Sequence, residues 1–267
     1  MSDEKKSLIN IELIPKELIT NIFGPASISI GEGLGGIANY VMGPLRRLNI
    51  ISEKSFQDFV DRTNTNTDEI PPENRDISKL GLALKTMEDA RYQLENEEMR
   101  EYFANLLAGL VDNRKNSQSS PRFSMILSEL TTKEARLLSE FYYLKGIPTE
   151  SFRVQKSNGD GVDLIENILL IDENNYVDEN LAIKTLQSYG LIDIAPSVQL
   201  KDEKKLALYN IFENSKQFSD TKDHLLEQFQ NHPYFIGTDF DVINTRGSIT
   251  ITDLGHIFSS MIFPEKE

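Results

Sequence analysis

The chain contains no cysteine, which removes a disulfide framework, a thiol nucleophile and thiolate zinc sites, and fits a reducing cytosol. Histidine is scarce, with three among 267 residues. Basic charge is scarce too: 28 Lys and Arg stand against 42 Asp and Glu, a net charge of −14. Cut at residue 130, the two parts carry 15 basic against 20 acidic residues and 13 against 22, so neither has a basic composition. Such a surface repels the phosphate backbone that dominates nucleic-acid affinity, and no nucleic-acid partner is expected. Met1 to Ile14 lacks an apolar core of signal-peptide length, so the expected location is cytoplasmic.

What is present suffices for folding. Hydrophobic residues make up 39% and charged residues 26%, the balance of a globular chain. Its length favours two lobes over one core.

The first part reads as helical throughout. Pro15 opens a short helix carrying Leu18, Ile19 and Ile22, which Gly24-Pro25 ends. Ile30, Leu34, Ile37, Val41, Leu45 and Leu48 recur in steps of three and four along one helix face, with Pro44 expected to bend it. Ser52 caps a helix with Phe56, Phe59 and Val60, which the polar run Thr63 to Thr67 is expected to end. Two helices follow, one striped by Ile77, Leu80, Leu84 and Met87, the other capped by Asn96 and striped by Met99, Phe103, Leu106 and Leu110. After a loop from Asn113 to Ser120 comes a short helix behind Pro121, then one opened by the capping-box spacing of Thr131 and Glu134.

The texture changes after Gly146-Ile147-Pro148. A segment of helix or strand, Val162 to Ile171, precedes a helix from Asp178 to Tyr189 that Gly190 terminates. Leu191 to Ile194 and Ile249 to Ile251 read as short strands, with a helix carrying Leu225, Leu226 and Phe229 between them and a last helix after Thr252-Asp253. The expected fold is mainly α: a multi-helix lobe at residues 1–145 and a smaller α+β lobe at 146–267, with an insertion at about 200–235.

One set of segments carries a family resemblance. They run from Ile14-Pro15-Lys16-Glu17-Leu18 through Gly31 to Gly35, Gly43 to Ile50 and Ile70 to Asn74, then Glu97 to Ala108 and Phe123 to Leu130. Together they resemble the Abi-alpha family, whose members are bacterial or phage-associated and linked to abortive infection, in which an infected cell stops growing or dies before phage progeny emerge. The resemblance assigns no catalytic residues. Where the family usually has His-Pro-Ser-Phe, this chain has Ser120-Pro121-Arg122-Phe123, so no role of that histidine carries over. The second lobe resembles a winged helix, on Leu186 to Ile192 and Ile249 to Gly255.

Candidate sites are few. Gly31-Glu32-Gly33-Leu34-Gly35-Gly36 matches a dinucleotide-binding pattern, but it lies inside a helical stripe, where small residues serve close helix packing. The window Ile22 to Leu45 has one charged residue, Glu32, and is followed by Arg46-Arg47, which suggests a membrane surface. Its prolines, glycines and central glutamate make it a poor spanning helix. His224 and Glu227 share a helix face but offer too few ligands for a metal. Glu95, Glu97, Glu98 and Glu101 read as a solvated helix start. The helix Asp178 to Tyr189 would bring Asp178 and Glu179 towards phosphates if it entered a groove, which favours protein contact over DNA.

The sequence therefore points to a non-enzymatic binding module of anti-phage defence, with no cofactor and no metal. Its expected partner is a protein, host- or phage-encoded, and it is expected to form homo-oligomers. Gly31, Gly33, Gly35, Gly36, Arg46 and Arg47 are the candidate contact residues, for a partner or a membrane surface. The rival readings are a membrane-active toxin using residues 22–48 and an enzyme whose site appears only in the fold.

Overall fold

The structure is a computed structural model that describes residues 30–173 and 175–264. The short helix expected from Pro15 lies outside the described residues. Ten α-helices and one five-stranded antiparallel sheet are described, a mainly α fold with a smaller α+β part. The chain divides into two units: Met1–Ala135 with Ile257–Glu267, and Arg136–His256.

In the first unit, α1 (Ile30–Arg47) buries Leu34, Ile37, Val41 and Met42 and holds Pro44 in its last turns. Helix α2 (Glu53–Asp68) starts at Ser52, whose hydroxyl accepts from the Ser55 amide. This helix runs through the threonines that were expected to end it. Thr63, Thr65 and Thr67 return their hydroxyl protons to the carbonyls of Phe59, Asp61 and Thr63 at 2.8, 2.9 and 2.7 Å. That bond satisfies the hydroxyl within its own helix, so Thr63 and Thr67 are buried without an unpaired donor. Helices α3 (Leu80–Ala90), α4 (Glu97–Leu110) and α5 (Arg122–Glu129) complete the packing, with Asn96 capping α4 and Thr131 and Glu134 bonding reciprocally at the start of α6 (Thr132–Leu144).

A polar tie crosses this core. Arg100 on α4 donates to Asp58 on α2 at 2.7 Å and to the carbonyls of Leu94 and Glu95 at 2.7 and 3.2 Å. One guanidinium thus joins α2 to the turn ahead of α4. Burial pushes the Asp58 carboxyl up, but the bonds from Arg100 and Arg62 outweigh it and hold the group below the usual carboxylate range.

The second unit is built on β1 (Ile147–Lys156), at the centre of the order β3-β2-β1-β5-β4. On one side it pairs with β2 (Gly161–Asp172), which pairs with β3 (Asn175–Val177). On the other it pairs without interruption with β5 (Phe240–Ile251), from Ile147↔Ile249 to Lys156↔Phe240, and β5 pairs with β4 (Ile192–Ala195). The segment expected as helix or strand is thus β2, and β5 is far longer than the expected Ile249 to Ile251. One face of the sheet presents Phe152, Val154 and Val242 to α8 (Glu203–Glu213) and α9 (Lys216–Gln230), which add Tyr209, Phe212 and Leu225 to the core. Helix α7 (Asn180–Ser188) buries Ala182, Ile183 and Leu186, and Gly190 follows it at φ +73°, the left-handed conformation glycine adopts freely.

At the start of α10 (Asp253–Ile262) the backbone passes close to β4. The Thr252 amide and hydroxyl donate to the carbonyls of Leu191 and Gly190, and a Cβ added at Gly255 would lie 2.0 Å from the Leu191 carbonyl oxygen. Gly255→Ala is therefore expected to cost about 2 kcal/mol by overpacking. Gly81→Ala, at a helical position with open space around it, should be neutral or stabilising by up to about 1 kcal/mol. Urea midpoints of the two variants check the contrast, and equal midpoints would contradict it.

Candidate functional site

The most perturbed ionisable group lies on β1. Along that strand residues 150, 152 and 154 share the face that meets α8 and α9, so Glu150 points the same way as Phe152 and Val154. Its side chain is fully buried. Across the strand pair it faces Arg246, whose Nε lies 3.9 Å from Oε1, while Oε2 accepts from Asn244 at 3.2 Å. The same Asn244 amide donates to Glu213 of α8 at 3.0 Å, and Arg246 grips Glu213 with two bonds of 2.8 and 2.6 Å.

Burial, first of all, pushes the Glu150 carboxyl up to about 8, and the neighbouring Glu213 adds to the effect, against the opposing pull of Asn244 and Arg246. Glu213 is held below its usual range, chiefly by Arg246. Glu150 is therefore the member of the pair that keeps its proton at neutral pH. Beside it the Tyr209 hydroxyl donates to the Gly247 carbonyl and accepts from the Leu200 amide. None of the three cavities described next is lined by Glu150, so its proton is held in the core.

The first cavity, about 780 Å³, lies in the first unit among Arg62, Asn66, Glu101, Asn105, Met261 and Phe263. The cation there is already engaged, since Arg62 contacts Asp58, Glu97 and Glu101 at 3.0, 3.0 and 3.2 Å. A second, about 420 Å³, lies in the second unit between the sheet and α7. A depression of about 370 Å³ is lined by Gly43, Arg46, Arg47 and Glu53.

The residues singled out from sequence do not converge. Gly31, Gly33, Gly35 and Gly36 sit in the first turns of α1, and Arg46 and Arg47 in its last, roughly 16 Å along the axis from Gly35. Gly33 and Gly35 are buried and Gly36 is half-buried, and a Cβ at Gly35 would stand 3.1 Å from Val60 Cγ1, which places α1 tightly on α2. Arg46 is fixed by Glu53 and Asn39 and lies 4.1 Å over the Phe56 ring, whereas Arg47 is exposed. Glu95 accepts from the Ser52 amide at 2.6 Å, and Glu97 and Glu101 face Arg62, so those acids are caps and ion pairs. Among the described residues no group of three or more His, Asp or Glu side chains could hold a metal, and no helix is long and apolar enough to cross a membrane.

Sequence reasoning missed Glu150, Glu213 and Arg246. The available signal was an acid in phase with Phe152 and Val154, legible only once residues 147–156 are read as a strand.

A helical unit followed by an antiparallel sheet with helices on it defines the class. Within that class, the chain belongs to the abortive infection alpha family, whose model matches residues 51–262. No curated protein matches the chain. Among solved structures it is similar to an uncharacterized protein of the hydrocarbon-degrading marine bacterium Alcanivorax borkumensis, at 16% identity and a TM-score of 0.34, over 56% of this chain and 94% of that one.

The proton on Glu150 gives a pH signature. The folded value, about 8, lies above the ordinary 4.5, so the contribution to stability is full below about 4.5 and is lost as pH rises to about 8. Unfolding free energy should fall across that window, by at most about 1.4 kcal/mol per pH unit for one proton. Glu150→Gln should flatten the slope in urea titrations followed by circular dichroism, and an unchanged slope in this variant would count against a proton retained on Glu150.

Proposed function

We propose that this protein is a non-enzymatic binding and effector module of bacterial defence against phage, acting in abortive infection through contact with a host- or phage-encoded protein. Membership of the abortive infection alpha family carries this reading. The module would work in the cytoplasm as a homo-oligomer. Residues 1–145 would form its helical part. Residues 146–267 would form its winged-helix-like part, in which α7 leads into the β4–β5 pair and α8 and α9 fill the insertion at about 200–235.

The end of α1 supports a contact surface. Tyr40, Leu48 and Ile50 are exposed beside Arg47, Leu48 most of all at 69%. Membrane action draws less support, because the apolar stripe of α1, from Leu34 to Met42, is buried within its unit.

Arg47→Glu is the informative variant, since Arg46 already binds Glu53 and reversing it would set two carboxylates against each other. Cells expressing the protein should yield fewer plaques and should collapse as a culture at high phage input. Arg47→Glu should relieve restriction at an unchanged melting temperature, while Gly35→Leu should relieve it with a loss of about 1–3 kcal/mol of stability. Normal plaque formation across a phage panel, with the wild-type protein expressed, would overturn the reading.

A further inference from the structure

The strand alternation that turns Glu150 and Phe152 towards α8 turns Ser151 and Arg153 to the opposite face, where Ser151 stands opposite Thr245 of β5. There the sheet, α7 and the exit of β4 border an open cavity of about 420 Å³, within the size range of small-molecule sites. We propose that it binds an uncharged small molecule of nucleoside size that presents a neighbouring hydrogen-bond donor and acceptor, as a nucleobase edge does.

Asn167 carries the argument. It lines the cavity, is 3% exposed, and has no hydrogen bond from its side-chain amide to any described residue. The carboxamide lies at the cavity wall, where a ligand can pair with it. Its position is built: Asn167 sits in β2 at φ +57°, and its backbone amide donates to Ser151 Oγ at 3.0 Å. Across the cavity, Gln187 of α7 brings a second carboxamide without a side-chain bond to the described residues. A carboxamide offers a donor and an acceptor side by side, the geometry that pairs with an adenine edge. Ile194 and Pro196 supply an apolar wall for a ring face.

The charges set the second half of the proposal. All four charged residues lining the cavity are paired, Arg153 with Asp163 at 2.8 Å and Lys184 with Glu166 at 3.2 Å. A phosphate would meet no uncommitted cation and would face two carboxylates. The site therefore selects a nucleoside over a nucleotide, and a two-point amide edge over a molecule with hydroxyls alone.

The test is a titration of the full, isotope-labelled chain with adenosine, guanosine, cytidine and uridine, with glucose and inorganic phosphate as controls, read by the side-chain amide resonances of Asn167 and Gln187. At least one nucleoside should move both resonances saturably. Asn167→Gly retains a residue at ease with the left-handed backbone and removes the carboxamide, so it should weaken binding about tenfold or more at an unchanged melting temperature. Gln187→Ala, on the exposed side of α7, gives the same comparison if the first variant fails to fold. The proposal is overturned if no nucleoside moves the resonances, if only glucose or phosphate does, or if both folded variants bind as tightly as the wild type.

Discussion

Keeping one buried carboxyl neutral is the constraint on which the second unit turns. An ionised Glu150, fully buried and next to Glu213, would be a second negative charge in a dry space, an arrangement proteins avoid by retaining the proton. The neighbours follow from that. Arg246 directs its charge to Glu213, and Asn244 bridges the two acids with one amide. Because Glu213 belongs to α8 while Asn244 and Arg246 belong to β5, the same bonds fix the helix to the sheet. The aromatic core of Phe152, Phe212 and Tyr209 is thereby held in register.

The first unit meets a similar problem in the opposite way. Arg100 is almost as deeply placed, but Asp58 retains partial exposure, and the pair keeps both charges, with burial of Asp58 outweighed by two guanidinium bonds. Partial hydration there does what a retained proton does in the second unit. The threonines of α2 are a third solution, burying hydroxyls by returning each to a carbonyl one turn back.

Legibility in the sequence followed the range of the interactions. Caps were readable because a side chain and the amide it serves are three residues apart: Ser52, Asn96 and the pair Thr131–Glu134 all bond as spacing implied. Helical stripes were readable for the same reason. The strand β1 was not, since its partners β2 and β5 include residues nearly a hundred positions away, and its own alternation places a glutamate among the apolar positions. The threonine run was misread because polar composition says nothing about hydroxyls that bond within the helix. Of the candidate sites, the glycine cluster was correctly placed on a helix, while Glu150 with Glu213 and the cavity beside Asn167 depend on β-sheet register and on residues brought together across the sheet.

The packing of the first unit draws on two distant stretches of chain. Phe258 and Met261 belong to its buried set, and Phe123 meets Phe258 with ring centres 5.4 Å apart. During synthesis, residues 30–135 must wait for all of 136–256 to be made before those side chains exist. At usual translation rates that interval is roughly ten seconds. Through it the helices would carry an uncovered apolar surface, so the moment of exposure to chaperones and proteases is set by the ribosome and not by the folding rate of the helices themselves.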